Sequence, residues 1–464
     1  MNKAEDLPVG ETANIQVRRP PGPKGTPIMG VMREFNRDSL GFIERARAYG
    51  DVVWMRFLYV PAIFLYHPDD IEYVLTTNPR NFIKSMSLRS NFFQRLVGNG
   101  LLTSQGEEWK RQRRLSQPAF HRERIASYAD TMISYTQRLV SGWNGGETRD
   151  IHRDMMRLTL EIVVRCLFRA DVSNDVDQVG ATLKELVRPF ASQATLRWIL
   201  NNRLPTPYHF RFHALAKKID NVVYRIIAER RASGKDEGDL LSMLLAARDE
   251  DGSQMTDRQL RDEVMTLFLA GHETTALTLA WSWYLLGKHP EVERKFYAEL
   301  DEVLGGREPS GADLPRLHYT EQIAKESMRL YPPAYGLGRE AIDDCEIGGY
   351  RVRARTQIFM FQWATQRDAR FYDEPLEFKP ERWTDQFIER LPKYAYFPFG
   401  GGPRACIGAS FAMMEIILVL ATIGQKFRLQ LVHDHPVTIL PAMSLRPKEG
   451  IRVIVRERKL SGNV

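Results

Sequence analysis

The sequence predicts one large, mainly α-helical domain with small β-sheets, and three observations carry that expectation. Residues 107–304 show helix-period apolar patterning almost without a break. Short runs rich in β-branched and aromatic residues lie outside that block, at 52–57, 62–66, near 351–361, and at 427–433 and 451–456. No repeat, low-complexity tract or interdomain linker divides the chain, so residues 20–460 read as a single domain between a polar N-terminal tail, 1–19, and a short tail, 461–464.

The elements follow in order. Residues 18–30 form an extended Pro/Gly entry segment. Residues 39–49 predict a short helix with Ser39 as its cap and Gly50 as its stop. Two strands at 52–57 and 62–66 precede His67-Pro68-Asp69-Asp70, which opens a helix. Residues 84–106 lack clean periodicity and read as a long loop. Helices are expected near 109–117, 122–143, 151–168, 178–194, 209–231 and 237–248, with an irregular stretch at 195–208. Thr256 and Gln259 form a capping box that starts the longest helix, running to about Lys288. Pro290 opens the next helix, and Tyr319–Leu330 is a helix stopped by Pro332-Pro333. Residues 367–405 are loop-rich, and a helix at 407–425 precedes the last strand pair.

Composition narrows the classes of function. The 464 residues are 43% hydrophobic and 27% charged, enough for a large core. A net charge of +7 is small beside 65 basic and 58 acidic residues, so no nucleic-acid partner is expected, whereas a local basic patch for an acidic partner is. Cys166, Cys345 and Cys406 make no disulfide framework and no Cys-x-x-Cys zinc pattern, which fits a reducing, cytoplasmic setting. Residues 1–19 have no apolar signal-peptide core, and no integral membrane anchor is expected. The longest apolar stretch, 265–287, carries His272 and Glu273 at its middle, which would be costly in lipid; it reads as a buried core helix.

One stretch concentrates chemistry: Phe399–Gly408, FGGGPRACIG. The glycine run lets the backbone turn tightly and approach another body, and Cys406 then precedes a helix whose N-terminus favours a thiolate. A lone cysteine is most often a small buried hydrophobe, but that reading explains neither the glycines nor Arg404 two residues away. Phosphate-loop and dinucleotide-loop spacings do not match. The pattern F-x-x-G-x-R-x-C-x-G, met by Phe399, Gly402, Arg404, Cys406 and Gly408, resembles the cytochrome P-450 family of haem-thiolate monooxygenases.

Further stretches match that family in order along the chain. Ala270–Thr275, AGHETT, matches its central-helix motif, and Glu326-x-x-Arg329 with Pro380-Glu381-Arg382-Trp383 matches its buried ion network. Trp109-x-x-x-Arg113 matches a helix that the family places at a haem propionate. Read without the family, these are a tolerated Thr/Gly helix, a surface i, i+3 ion pair and an ordinary basic helix.

The resemblance implies the P-450 fold, with haem b sandwiched between the long central helix and the loop bearing Cys406, its axial ligand and the iron ligand. It implies Trp109, Arg113, Arg339, Phe399 and Arg404 around the haem, and Thr274 with Glu273 as the catalytic pair that delivers protons to bound dioxygen. The implied activity is hydroxylation or epoxidation of a hydrophobic small molecule, such as a fatty acid or terpenoid, by a monomer. Electrons are expected from a ferredoxin with its reductase or a flavodoxin-type protein, since no flavin or iron–sulfur segment is present. The competing readings are a peroxide-using or peroxide-rearranging haem-thiolate enzyme and a non-enzymatic haem sensor.

Overall fold

A computed structural model describes residues 19–170, 176–187, 206–248 and 252–458. Eight helices carry the architecture: α1 (Gly106–Ser116), α2 (Ala129–Ser141), α3 (Ile151–Phe168), α4 (Pro207–Ser233), α5 (Asp257–Lys288), α6 (Pro290–Leu304), α7 (His318–Leu330) and α8 (Ala409–Lys426). Helix α5 is the axis. Its capping box is formed in both directions between Thr256 and Gln259, and its 32 residues correspond to roughly 48 Å. It is buried on nearly every side because α3, α4, α7 and α8 all pack against it. The closest neighbour is α3, which Gly271 admits: a Cβ there would lie 3.0 Å from Val163. Helix α8 is long and apolar enough to cross a membrane, yet it sits mostly inside the core.

The strands are β1 (Val52–Phe57), β2 (Val60–Leu65), β3 (Phe82–Lys84), β4 (Thr148–Asp150), β5 (Leu337–Ala341), β6 (Cys345–Ile347), β7 (Tyr350–Val352), β8 (Gln357–Met360), β9 (Phe427–Leu431), β10 (Ile439–Pro441), β11 (Leu445–Pro447) and β12 (Arg452–Glu457). Five of them form one sheet in the order β1-β2-β8-β5-β3, with only the β2–β8 pair parallel. The register places Lys84 of β3 opposite Arg339 of β5. The order β4-β12-β9 makes a second sheet at the end of the helical core. The fold is therefore mainly helical with small sheets, as the sequence predicts.

Behind the cysteine loop lies a hub centred on Glu326. Arg329 donates to both of its carboxylate oxygens at 2.8 and 2.9 Å, and both side chains are wholly buried. Arg382 Nε, Trp383 Nε1 and the Lys379 N–H donate to the same carboxylate at 2.9, 2.9 and 3.0 Å. One turn further, Gln366 bridges the Met328 carbonyl and the Phe397 N–H, which ties α7 to the strand of chain entering the loop.

Three expectations need correction. Residues 84–106 are not all loop: Ser90 caps a helix at Asn91–Val97, too short to show a period. The helix expected over 122–143 is two, Arg122–Ala126 and α2, separated at Ser127 and Tyr128 with no Gly or Pro to mark the break. The helix expected over 39–49 is capped by Asp38, whose side chain accepts from the Gly41 N–H, rather than by Ser39, and it gives way after Ala46 to a tighter turn at Arg47–Tyr49. The rest of the helix expected at 178–194 and most of 195–208 lie outside the described residues.

Candidate functional site

A cavity of about 1290 Å³ opens between α5 and the Phe399–Gly408 loop. A single small ligand usually occupies about 300–1,000 Å³, so this one has room for more than one body. Its walls come from α5 (Leu267, Ala270, Gly271, Thr274), from Lys84–Asn91, Leu101 and Leu102, from Pro333–Arg339, and from the β10 region at Ile439–Met443.

The loop is shaped by its glycines. Gly400 and Gly402 adopt φ of +69° and +64°, and a Cβ on Gly402 would meet the Leu75 carbonyl oxygen at 1.8 Å. The Cys406 N–H closes the loop on the Phe399 carbonyl at 2.9 Å. Phe399 and Cys406 both line the cavity. The thiol is deep within the protein but open to that space. Burial pushes its pKa up, against the pull of the Gly408 N–H and the Arg113 guanidinium. No group of three or more His, Cys, Asp or Glu that could hold a metal exists among the described residues.

On the opposite wall, Thr274 Oγ1 donates to the Ala270 carbonyl at 2.7 Å, and Thr275 and Thr278 repeat the pattern at 3.0 and 3.1 Å. Such back-bonding loosens the helix locally at the cavity. Glu273 does not join Thr274 there. Its carboxylate points away, onto Arg446 Nε at 2.7 Å and the Ser444 hydroxyl. Burial pushes its pKa up, but Arg446 and Ser444 outweigh this and hold the carboxyl below its ordinary value. The catalytic pair expected from the sequence is therefore split: neighbours on a helix lie about 100° apart, and only Thr274 faces the cavity.

Trp109 and Arg113 come to the cavity from α1. The Arg404 guanidinium stacks 4.0 Å from the centre of the Trp109 ring, and Arg113 Nη1 donates to the Ala405 carbonyl at 2.9 Å. Arg404 Nη1 is buried without a hydrogen-bond partner among the described residues. Arg339 is buried too, and among the described residues its guanidinium donates only to the Gly338 carbonyl. Burial pushes both arginines down to about 10.

Lys84, which no motif singled out, lines the same wall and is buried as well. Burial, then Arg339 and Arg404, pull its ammonium well below the lysine range. The Arg339 and Arg404 guanidiniums, with the Lys84 amine beside them, form a cradle for an anion near the Cys406 thiol. A haem with two propionates fits that donor set. The only sequence signal for Lys84 is the β3–β5 register, which pairs residues 255 positions apart (339 − 84).

The chain matches the family model for cytochrome P450 over residues 20–455. Cyclooctatin synthase of Streptomyces melanosporofaciens is 36% identical, covering 91% of this chain and 92% of that one. Cyclooctat-9-en-7-ol 5-monooxygenase from the same organism is 36% identical over 88% of this chain and 89% of that one. Pentalenene oxygenase of Streptomyces avermitilis is 34% identical over 92% of each. The crystal structure of the cytochrome P450DA heme domain superposes with a TM-score of 0.85 at 30% identity, covering 96% of this chain and 99% of that one.

Proposed function

Since this chain belongs to the cytochrome P450 family and is one of its monooxygenases, we propose that it oxidises a neutral, largely hydrocarbon substrate of terpenoid type at a haem held by Cys406. When bound, haem supplies the activation of dioxygen and the transfer of one oxygen atom to a C–H bond or alkene.

The chain's own residues do the rest. Cys406 would hold the haem iron through its sulfur, its thiol losing the proton on coordination; burial opposes that anion, and the Gly408 N–H and Arg113 partly offset burial. Trp109, Arg339 and Arg404, all at the cavity, would hold the carboxylates of the group, and Phe399 would line its site from the loop. Thr274 holds a proton or a water at Oγ1 on the opposite wall, one turn from the loosened Ala270 carbonyl. Glu273 acts as a positioning residue, clamping β11 against α5 and so fixing the height of Thr274. Electrons come from an external ferredoxin- or flavodoxin-type donor, for which exposed basic residues of α1, Lys110 and Arg114, are the candidate contacts.

The observation that carries the substrate class is the fate of the arginines near the cavity. Arg89 is paired with Glu340, and Arg95 with Asp220 at 2.8 Å, so neither is free to anchor a fatty-acid carboxylate; Arg37 also lines the cavity but is exposed to solvent, and Arg188 lies outside the described residues. Leu101, Leu102, Leu267 and Met443 line the cavity. The names of the relatives, which refer to pentalenene and to cyclooctat-9-en-7-ol, point the same way. The test is a spectral-shift titration of matched cyclic terpenes, steroids and fatty acids on the haem-loaded protein. Terpenes should bind at least ten times more tightly than fatty acids; the reverse order overturns the substrate class. Product formed with a reduced partner but not with hydrogen peroxide alone supports the monooxygenase route over the peroxide one.

A further inference from the structure

Glu273 is turned away from the cavity and held as an anion by Arg446, but a second carboxyl on α5 is placed to serve that cavity. Glu263 is wholly buried and makes no ion pair among the described residues. Its neighbour Asp262 accepts from Arg261 Nη1 and from the Asn99 N–H, each at 2.9 Å. Glu263 accepts from the Leu101 N–H on Oε2 at 3.1 Å, and its Oε1 has no hydrogen-bond partner among the described residues. Burial pushes its pKa up to about 8 against the Leu101 N–H; Asp262 and Glu108 add to the rise, and Arg111 opposes it. A neutral acid needs an acceptor for its proton, and Oε1 is the oxygen left to carry it. One turn along, Thr266 supplies an oxygen. The hydroxyls of Thr274, Thr275 and Thr278 return to the carbonyl four residues back, whereas Thr266 Oγ1 is buried without a partner among the described residues. Residues three apart share a helix face. The loop before α1 places this pair on one side: Leu101 donates to Glu263, and a Cβ on the preceding Gly100 would lie 2.4 Å from Thr266 Oγ1. From there Thr266, Ala270 and Thr274 line the cavity at four-residue steps. In the other direction the polar contacts lead to the surface. Gln112 Nε2 donates to the Asn99 carbonyl, and Asn99 Nδ2 donates to the exposed Glu108 carboxylate, both at 2.7 Å.

Resting on the monooxygenase reading above, we propose that Glu263 and Thr266 form a proton inlet to the cavity, in the place that Glu273 leaves empty. Glu263 passes its Oε1 proton to Thr266 Oγ1, directly or through a water. The Thr266 hydroxyl gives its own hydrogen to cavity water on the way to Thr274. Solvent at the Glu108 end returns a proton to the carboxylate. Each transfer breaks one O–H bond and makes another, and no electron moves. The protons are consumed where dioxygen is reduced, since the oxygen atom that is not inserted leaves as water. Glu263 touches no substrate; it is a positioning residue that acts through Thr266.

The experiment uses the haem-loaded full chain and two variants. Glu263→Gln keeps an acceptor for Leu101 and loses the proton; Thr266→Val keeps the carboxyl and loses the hydroxyl. A residue that only clamps the loop would be indifferent to both changes. The first readout needs no turnover. Photolysis of carbon monoxide from the reduced protein alters what fills the cavity, and the infrared difference spectrum should contain the carbonyl stretch of a neutral acid. That band should shift in deuterium oxide, vanish in Glu263→Gln and stop responding to photolysis in Thr266→Val. The second readout is coupling: with a reduced partner and a terpene, peroxide per product should rise about three- to tenfold in each variant. Terpene binding, read by the spectral shift, should stay at the wild-type value. If Glu263→Gln does not fold, Thr266→Val carries both readings. A difference spectrum without the band, or wild-type coupling in either variant, overturns the inlet and leaves Glu263 as a clamp for the loop. A wild-type protein without the carbon-monoxide Soret band of a thiolate haem instead overturns the reading on which the inlet rests.

Discussion

Glu273 and Arg446 hold each other on the face of α5 turned away from the cavity, with Arg446 Nε donating to the carboxylate at 2.7 Å and the Glu273 side chain buried. Removing the arginine strands a buried charge, which costs about 3–5 kcal/mol. Arg446→Met should therefore lower the urea midpoint strongly, and adding Glu273→Gln to it should recover part of the loss. A single variant within 1 kcal/mol of wild type, an order of magnitude set by exposed pairs, would show the pair to be solvated.

Gly402→Ala should weaken haem retention. The position combines a φ of +64° with a Cβ placed 1.8 Å from the Leu75 oxygen, so the loop must move. Gly146 provides the control: its φ is +87°, but a Cβ meets nothing within 4 Å. Its alanine variant should lose only about 1 kcal/mol of stability, the scale of backbone strain alone. The haem-to-protein absorbance ratio after purification separates the two.

Thr274→Val keeps the shape of the wall and deletes the hydroxyl. The variant should show the red-shifted carbon-monoxide Soret band of the wild type, since Cys406 is untouched, and should divert several times more electrons to peroxide per product formed. Unchanged coupling would remove Thr274 from proton handling. Cys406→Ala, in contrast, should lose the band itself.

Stability should fall as pH rises from about 5 to 8, in part through Glu263. Burial pushes its carboxyl up to about 8, although the Leu101 N–H opposes this. The folded state thus keeps a proton that the unfolded chain releases near about 4.3. Its contribution is fully present below that value and is lost as pH climbs through the folded value, at up to about 1.4 kcal/mol per pH unit. Glu263→Gln retains an acceptor for Leu101 and should flatten this part of the profile; parallel pH profiles for the two proteins would assign the slope to other groups.

Local chemistry made much of the site legible. The cysteine loop, the Thr256 capping box and the ends of α3 and α5 are written in contiguous residues, and the structure reproduces them. The destination of Glu273 was not legible, because Ser444 and Arg446 are more than 170 positions away and announce nothing about α5. Lys84 was hidden for the same reason: its meaning arises only when β3 is laid against β5. The helix at Asn91–Val97 escaped because fewer than two turns leave no period to read.

The Glu326 carboxylate gathers donors from residues 329, 379, 382 and 383. The hub therefore has a temporal meaning. Closing a loop of some fifty residues costs entropy that grows as the logarithm of its length, and contacts so distant in sequence form late in folding. The segment that enters the cysteine loop is bolted to α7 through Gln366, next to this hub. Nascent chains should acquire their local helices first and the folded cysteine loop last.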